Sequence, residues 1–149
     1  MTIGHIIENN VLRGTSTIKD FMVFKFKAAK ESDECKAFFM WCENHRELKG
    51  LVTHYPNEAK RSFSLAKFLQ SIGLRKGVSD YFIPVMRGGY GGMWIEMKRS
   101  DKTLSRISLE QKNWLAKMDK QGYKTYVAYG YCDAAQAVTA YLDLPSPIK

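Results

Sequence analysis

Tyr81-Phe82-Ile83-Pro84-Val85-Met86, Arg87-Gly88-Gly89-Tyr90-Gly91-Gly92 and Met93-Trp94-Ile95-Glu96-Met97-Lys98 follow one another without a break. The outer stretches are apolar and aromatic, and the glycine-rich middle lets the chain reverse, so the segment reads as a β-hairpin. Strand side chains alternate, which puts Glu96 and Lys98 on one face and Met93, Ile95 and Met97 on the other. Asp80 stands at the entrance of the first strand, and hairpin pairing brings it to Glu96 at one edge of the sheet. Two carboxylates there repel unless a divalent cation lies between them. Mg²⁺ suits that place, because it takes hard oxygen ligands and keeps waters that a phosphate can displace. Mn²⁺ is expected to substitute for it. Such a cation polarises a phosphodiester and supplies hydroxide near neutral pH, while Lys98 offsets charge or orients the attacking water. The plain alternative is a set of solvated charges at strand ends, since Glu-x-Lys alone is a weak motif. Against it stands the run Met-Trp-Ile-Glu-Met-Lys, apolar enough to be a central strand, where an idle charge costs desolvation energy.

Helical patterns flank the hairpin on both sides. Ser32 or Asp33 reads as the N-cap of a helix to about Leu48, with Cys35, Phe38, Phe39 and Cys42 as its apolar stripe. Leu51 to Tyr55 is a short strand. Ser62 opens a helix that buries Leu65, Ala66, Leu69 and Ile72 and stops at Gly73. Ser108 with Gln111 forms a capping box ahead of a helix carrying Trp114, Leu115 and Met118 inward. Lys124 to Tyr129 is a strand, and Asp133 caps a last helix that buries Ala134, Ala135, Val138, Tyr141 and Leu142. The order predicts an α/β fold, a small mixed β-sheet flanked by helices. Residues 1–30 read as an N-terminal extension, with Phe21 to Lys27 a strand packed on a domain spanning residues 31–149.

The chain has 149 residues, enough for one domain with a core of its own. Hydrophobic residues at 45% and charged residues at 26% exclude a disordered chain. Twenty-three Lys and Arg against fifteen Asp and Glu leave a net charge of +8, which points to polyanions, nucleic acid first. Three cysteines without close pairing exclude a secreted disulfide framework, and no apolar run reaches the length of a membrane span. A cytoplasmic protein with no membrane partner is the expectation. Cys35, Cys42 and His45 share one side of the first helix, but lacking a CxxC pair and a fourth ligand they read as buried thiols, not a zinc site. Lys60, Arg61, Lys67, Arg75, Lys76, Arg99, Lys102 and Arg106 gather in sequence around the acidic pair and form a candidate phosphate-backbone track. Arg87 at the hairpin tip is a further candidate DNA contact. Asn57 either positions DNA or holds its loop.

Three blocks together make a specific resemblance. Gly73-Leu74-Arg75-Lys76-Gly77-Val78-Ser79-Asp80-Tyr81-Phe82, then Met93 to Arg99, then Leu109-Glu110-Gln111-Lys112-Asn113-Trp114-Leu115 with Gly122-Tyr123, resemble the VRR-NUC nucleases of the PD-(D/E)xK, restriction-endonuclease-like superfamily. The likeness runs from about Ser32 to Leu142. It implies a Mg²⁺- or Mn²⁺-dependent deoxyribonuclease with Asp80, Glu96, Lys98 and Gln111 at the catalytic centre. It also implies Glu34 on the first helix as a third acidic residue at the metal, beside Asp80 and Glu96. Glu34 and Gln111 each have a simpler reading, as a first-turn acid favoured by the helix dipole and as half of the capping box. Ser79 departs from the family, which usually has proline there; the proline shapes the backbone and is not a ligand. The resemblance further implies branched or flapped DNA as substrate, a phage or bacterial setting, and a homodimer that places two centres on a two-fold substrate. The rival is a non-catalytic DNA-binding module on the same fold.

Overall fold

The structure, a computed structural model, describes residues 29–56 and 61–147. The expected strand at Phe21 to Lys27, Asn57 and Lys60 lie outside the described residues. The elements are α1 (Glu31–Asn44), β1 (Thr53–His54), α2 (Phe63–Ser71), β2 (Tyr81–Ile83), β3 (Met93–Lys98), α3 (Leu109–Lys120), β4 (Lys124–Tyr129) and α4 (Tyr131–Leu142). A 3₁₀ turn, Lys102–Leu104, separates β3 from α3.

The sheet runs β1-β2-β3-β4. β1 and β3 are both antiparallel to β2, whereas β4 is parallel to β3. The hairpin expected from sequence therefore forms, but β2 stops at Ile83 because Pro84 has no amide to give the ladder. The reversal itself is tight. Arg87 and Tyr90 bridge across Gly88 and Gly89, whose φ values of 56° and 84° fit the primed turn that matches strand twist.

β3 is buried along its whole length. On one face Met93, Ile95 and Met97, with Tyr81, Ile83 and Ala128, pack on Phe38 and Cys42 of α1 and on Ala134, Val138, Tyr141 and Leu142 of α4. On the other, Trp94 stacks against Phe82 and meets Trp114 of α3 edge-on, 5.5 Å between centroids. The apolar odd positions thus build the core, and the even positions, Glu96 and Lys98 among them, share the second face.

Several boundaries move. α1 begins at Glu31 with Lys30 at its N-cap, not at Ser32 or Asp33, and ends at Asn44 because His45 is extended. Phe39 is 42% exposed and does not join Phe38 and Cys42 in the core. Ser62 does cap α2, accepting the Leu65 amide at 3.3 Å, but none of that helix is buried. Its apolar stripe exists, yet one sheet face is already covered by α1 and α4 and the other by α3. α4 begins at Tyr131, so Asp133 lies inside its first turn; its carboxylate accepts from the Tyr129 amide and the Tyr126 hydroxyl, both at 2.8 Å. No helix among the described residues is long and apolar enough to cross a membrane.

Gly77 fixes the approach to β2. Its φ is +77°, and a Cβ there would lie 2.4 Å from the Glu110 carbonyl carbon and 2.7 Å from the Gln111 nitrogen. The loop before Asp80 is therefore seated directly on the first turn of α3. Gly77→Ala combines positive-φ strain with a backbone clash and is expected to cost about 2–4 kcal/mol in denaturant titration. Unchanged stability would show that the loop and α3 are not locked together.

Candidate active site

Tyr81 pairs with Ile95, and one step back along the two strands Asp80 faces Glu96. The sequence expectation of two carboxylates meeting across the hairpin corresponds to this register. Asp80 is anchored by the ladder itself: its Oδ2 accepts the Met97 amide at 2.7 Å.

Glu96 is 1% exposed and its two oxygens are treated unequally. Oε1 accepts from Lys98 Nζ at 2.9 Å and from Gln111 Nε2. Oε2 is buried and has no hydrogen-bond partner. Burial in the apolar strand pushes the Glu96 carboxyl up to about 7, and the neighbouring Asp80 charge adds to the rise, while Lys98 opposes it. Burial also presses the Lys98 ammonium towards neutrality, but its hydrogen bond to Glu96 and the charges of Glu96, Glu31 and Asp80 outweigh that, for a net upward shift.

Gln111 links its capping box to the acidic pair. Its Oε1 accepts the Ser108 amide at 2.9 Å, closing the capping box with the Ser108 hydroxyl on the Gln111 amide at 3.1 Å. Its Nε2 remains for Glu96. The start of α3 is thereby tied to the acidic centre through one side chain. A cleft of about 340 Å³ opens beside it, lined by Lys76, Asp80, Ser108, Glu110 and Gln111 among others.

Glu34, the third acid that the resemblance implies at the metal, reaches the start of α4. It is 7% exposed, and its Oε2 accepts the Tyr131 amide at 2.9 Å, capping the first turn of α4. Glu31, one turn earlier, is the acid of α1 whose charge reaches both Glu96 and Lys98. The signal for it was present, because residues three apart share a helix face. Arg87, the candidate DNA contact at the hairpin tip, also has partners within the fold. Its guanidinium donates to the Leu142 carbonyl at 3.1 Å and the Met86 carbonyl at 2.9 Å and pairs with Glu47, so it latches the hairpin to the helical layer. Arg75 and Lys76 are exposed beside the cleft approach, Arg99 is half-buried directly after Lys98, and Arg61 donates to the Pro56 carbonyl at 2.5 Å.

The sequence pattern of the VRR-NUC domain matches residues 22–131. The chain belongs to the VRR-NUC family. A solved structure titled "VRR_NUC domain protein" shares 25% identity with it, with a TM-score of 0.69, covering 80% of this chain and 93% of that one. No curated protein matches. The sheet and its flanking helices are thus the restriction-endonuclease-like α/β fold, and the VRR-NUC membership makes this a nuclease-type domain with DNA as substrate.

The donors present suit a hard divalent cation. Among the described residues no three His, Cys, Asp or Glu side chains converge to hold a metal by themselves. Asp80 and Glu96 form a two-carboxylate set, and Mg²⁺ commonly uses one or two carboxylates and completes its shell with waters and substrate phosphate. The bare, buried Oε2 of Glu96 is the atom such a cation would satisfy.

The raised Glu96 carboxyl gives a pH signature in the metal-free protein. Its folded value near 7 lies above the ordinary 4.5, so the folded state holds the proton longer than the unfolded one. The resulting stability is complete below about 4.5 and is lost as pH rises through about 7. In EDTA, Tm should fall more from pH 6 to pH 8 for the native chain than for Glu96→Gln. Parallel profiles would contradict the raised value.

Proposed function

We propose that this VRR-NUC chain is a divalent-metal-dependent DNA endonuclease acting on branched DNA, such as four-way junctions or flaps. The observation that carries the reading is Glu96: a carboxylate held in an apolar strand by Lys98 and Gln111, with Asp80 opposite and one oxygen unpartnered. A structural ion pair needs no bare oxygen, since an unsatisfied buried acceptor is destabilising.

Asp80 and Glu96 would hold Mg²⁺ or Mn²⁺, with Glu31 rather than Glu34 supplying the further negative charge from α1. Bound there, the metal supplies Lewis-acid polarisation of the phosphodiester and a water of lowered pKa. Lys98 stabilises charge developing on the phosphate and orients the water from its fixed place on Glu96. Gln111 holds the Glu96 carboxylate in plane and keeps α3 against it. Arg75, Lys76 and Arg99, with Asn57, Lys60 and Arg61, supply the phosphate track that steers DNA to the cleft. A homodimer sets two such centres on opposed strands of a two-fold junction. The setting is the cytoplasm of a bacterial or phage-infected cell.

The test incubates the full chain with linear, flapped and four-way DNA in Mg²⁺, Mn²⁺ and EDTA. Cutting should require metal, favour branched DNA and fall at least about hundredfold in Asp80→Asn and Lys98→Ala, which still bind. Paired nicks on opposed junction strands support the dimer, and single nicks contradict it. Either variant cutting at the native rate overturns the assignment, and a native chain that binds but never cuts makes it a DNA-binding module.

A further inference from the structure

Across the second face of the sheet the residues fall into rows. Thr53 lies opposite Phe82, and Phe82 opposite Trp94. One row further on, the Tyr55 amide donates to the Asp80 carbonyl at 2.7 Å, and Asp80 faces Glu96. Tyr55, Asp80 and Glu96 therefore share one row on one face. With strands about 4.8 Å apart, the Tyr55 and Glu96 backbones stand on the order of 10 Å from each other. That is within the reach of a single nucleotide whose phosphate lies at the carboxylates.

The ring has a backing. Tyr55 packs against Trp94 at 5.5 Å between centroids, and Trp94 is itself held by Phe82 at 4.6 Å and Trp114 at 5.5 Å. Trp94 is 9% exposed, whereas Tyr55 is 36% exposed. A buried indole thus supports one side of a phenol that opens to solvent beside the acidic pair. Tyrosine presents a large flat surface at little conformational cost, which suits stacking on a base.

We propose that Tyr55 is the platform on which this nuclease stacks an unpaired base next to the scissile phosphate, and that this contact selects frayed or branched DNA. The proposal rests on the nuclease reading above. In an intact duplex every base is already stacked on both sides, so the ring gains nothing there. At a branch point the terminal base has one bare face, and Tyr55 takes it. The selection is for an exposed π-face and is indifferent to base identity.

The test is a binding measurement in EDTA, so it does not depend on cleavage. Forked DNA carries 2-aminopurine at the unpaired nucleotide of the branch, and a control carries it within continuous duplex. The native chain should quench the forked probe and leave the duplex probe unchanged. Tyr55→Phe should match it, and Tyr55→Trp should quench more. Tyr55→Leu, which keeps an apolar cover over Trp94, should lose the quench and bind forked DNA about tenfold more weakly with unchanged duplex affinity. A native-like quench in Tyr55→Leu, an equal loss on both DNAs, or no deeper quench in Tyr55→Trp would overturn the proposal. A chain that stacks the base but cuts nothing in Mg²⁺ sinks the nuclease reading alone.

Discussion

One carboxylate oxygen organises the site. Glu96 Oε1 accepts from Lys98 on its own strand and from Gln111 on α3, and these two bonds set both side chains. They also leave Oε2 bare in a buried place, and an unsatisfied buried carboxylate oxygen is unfavourable unless a further partner binds there. Burying that charge is unfavourable. The apolar strand around it makes the carboxyl hold its proton to about 7, so the metal-free protein is poised between a neutral and an anionic centre at physiological pH.

The same bonds connect the centre to the fold. Gln111 belongs to the first turn of α3, and that turn is the surface on which Gly77 rests without room for a methyl group. Gly77 in turn leads through Ser79 to Asp80, whose side chain is hydrogen-bonded to the β3 backbone at Met97. Loop, helix and strand thus close a ring around the two carboxylates. Ser79, between Gly77 and Asp80, is fully buried and its hydroxyl has no hydrogen-bond partner.

The core strands were the most legible part of the sequence. β3 and β4 appear at the expected residues, because each combines an unbroken strand pattern with glycine or turn signals at its ends. The capping box was equally readable, since Ser108 and Gln111 interact locally. Local pattern falls silent wherever a long-range partner decides the outcome. Leu65, Ala66, Leu69 and Ile72 form a true helical stripe, but periodicity does not say whether a sheet face remains to receive it. Glu34 and Glu31 lie on one face of α1, and only the position of the Tyr131 amide assigns the former to α4. Arg87 was indistinguishable from an exposed hairpin-tip cation until Glu47 and the Leu142 carbonyl came into contact with it.

In the proposed reading the bare oxygen of Glu96 and the Asp80 carboxylate together receive a divalent cation. Mn²⁺ titration followed by isothermal calorimetry and electron spin resonance, without DNA, reads that directly. One tight site per chain is expected, with affinity rising as pH passes through about 7 and binding lost in both Glu96→Gln and Asp80→Asn. Undiminished Mn²⁺ binding in Glu96→Gln would contradict it.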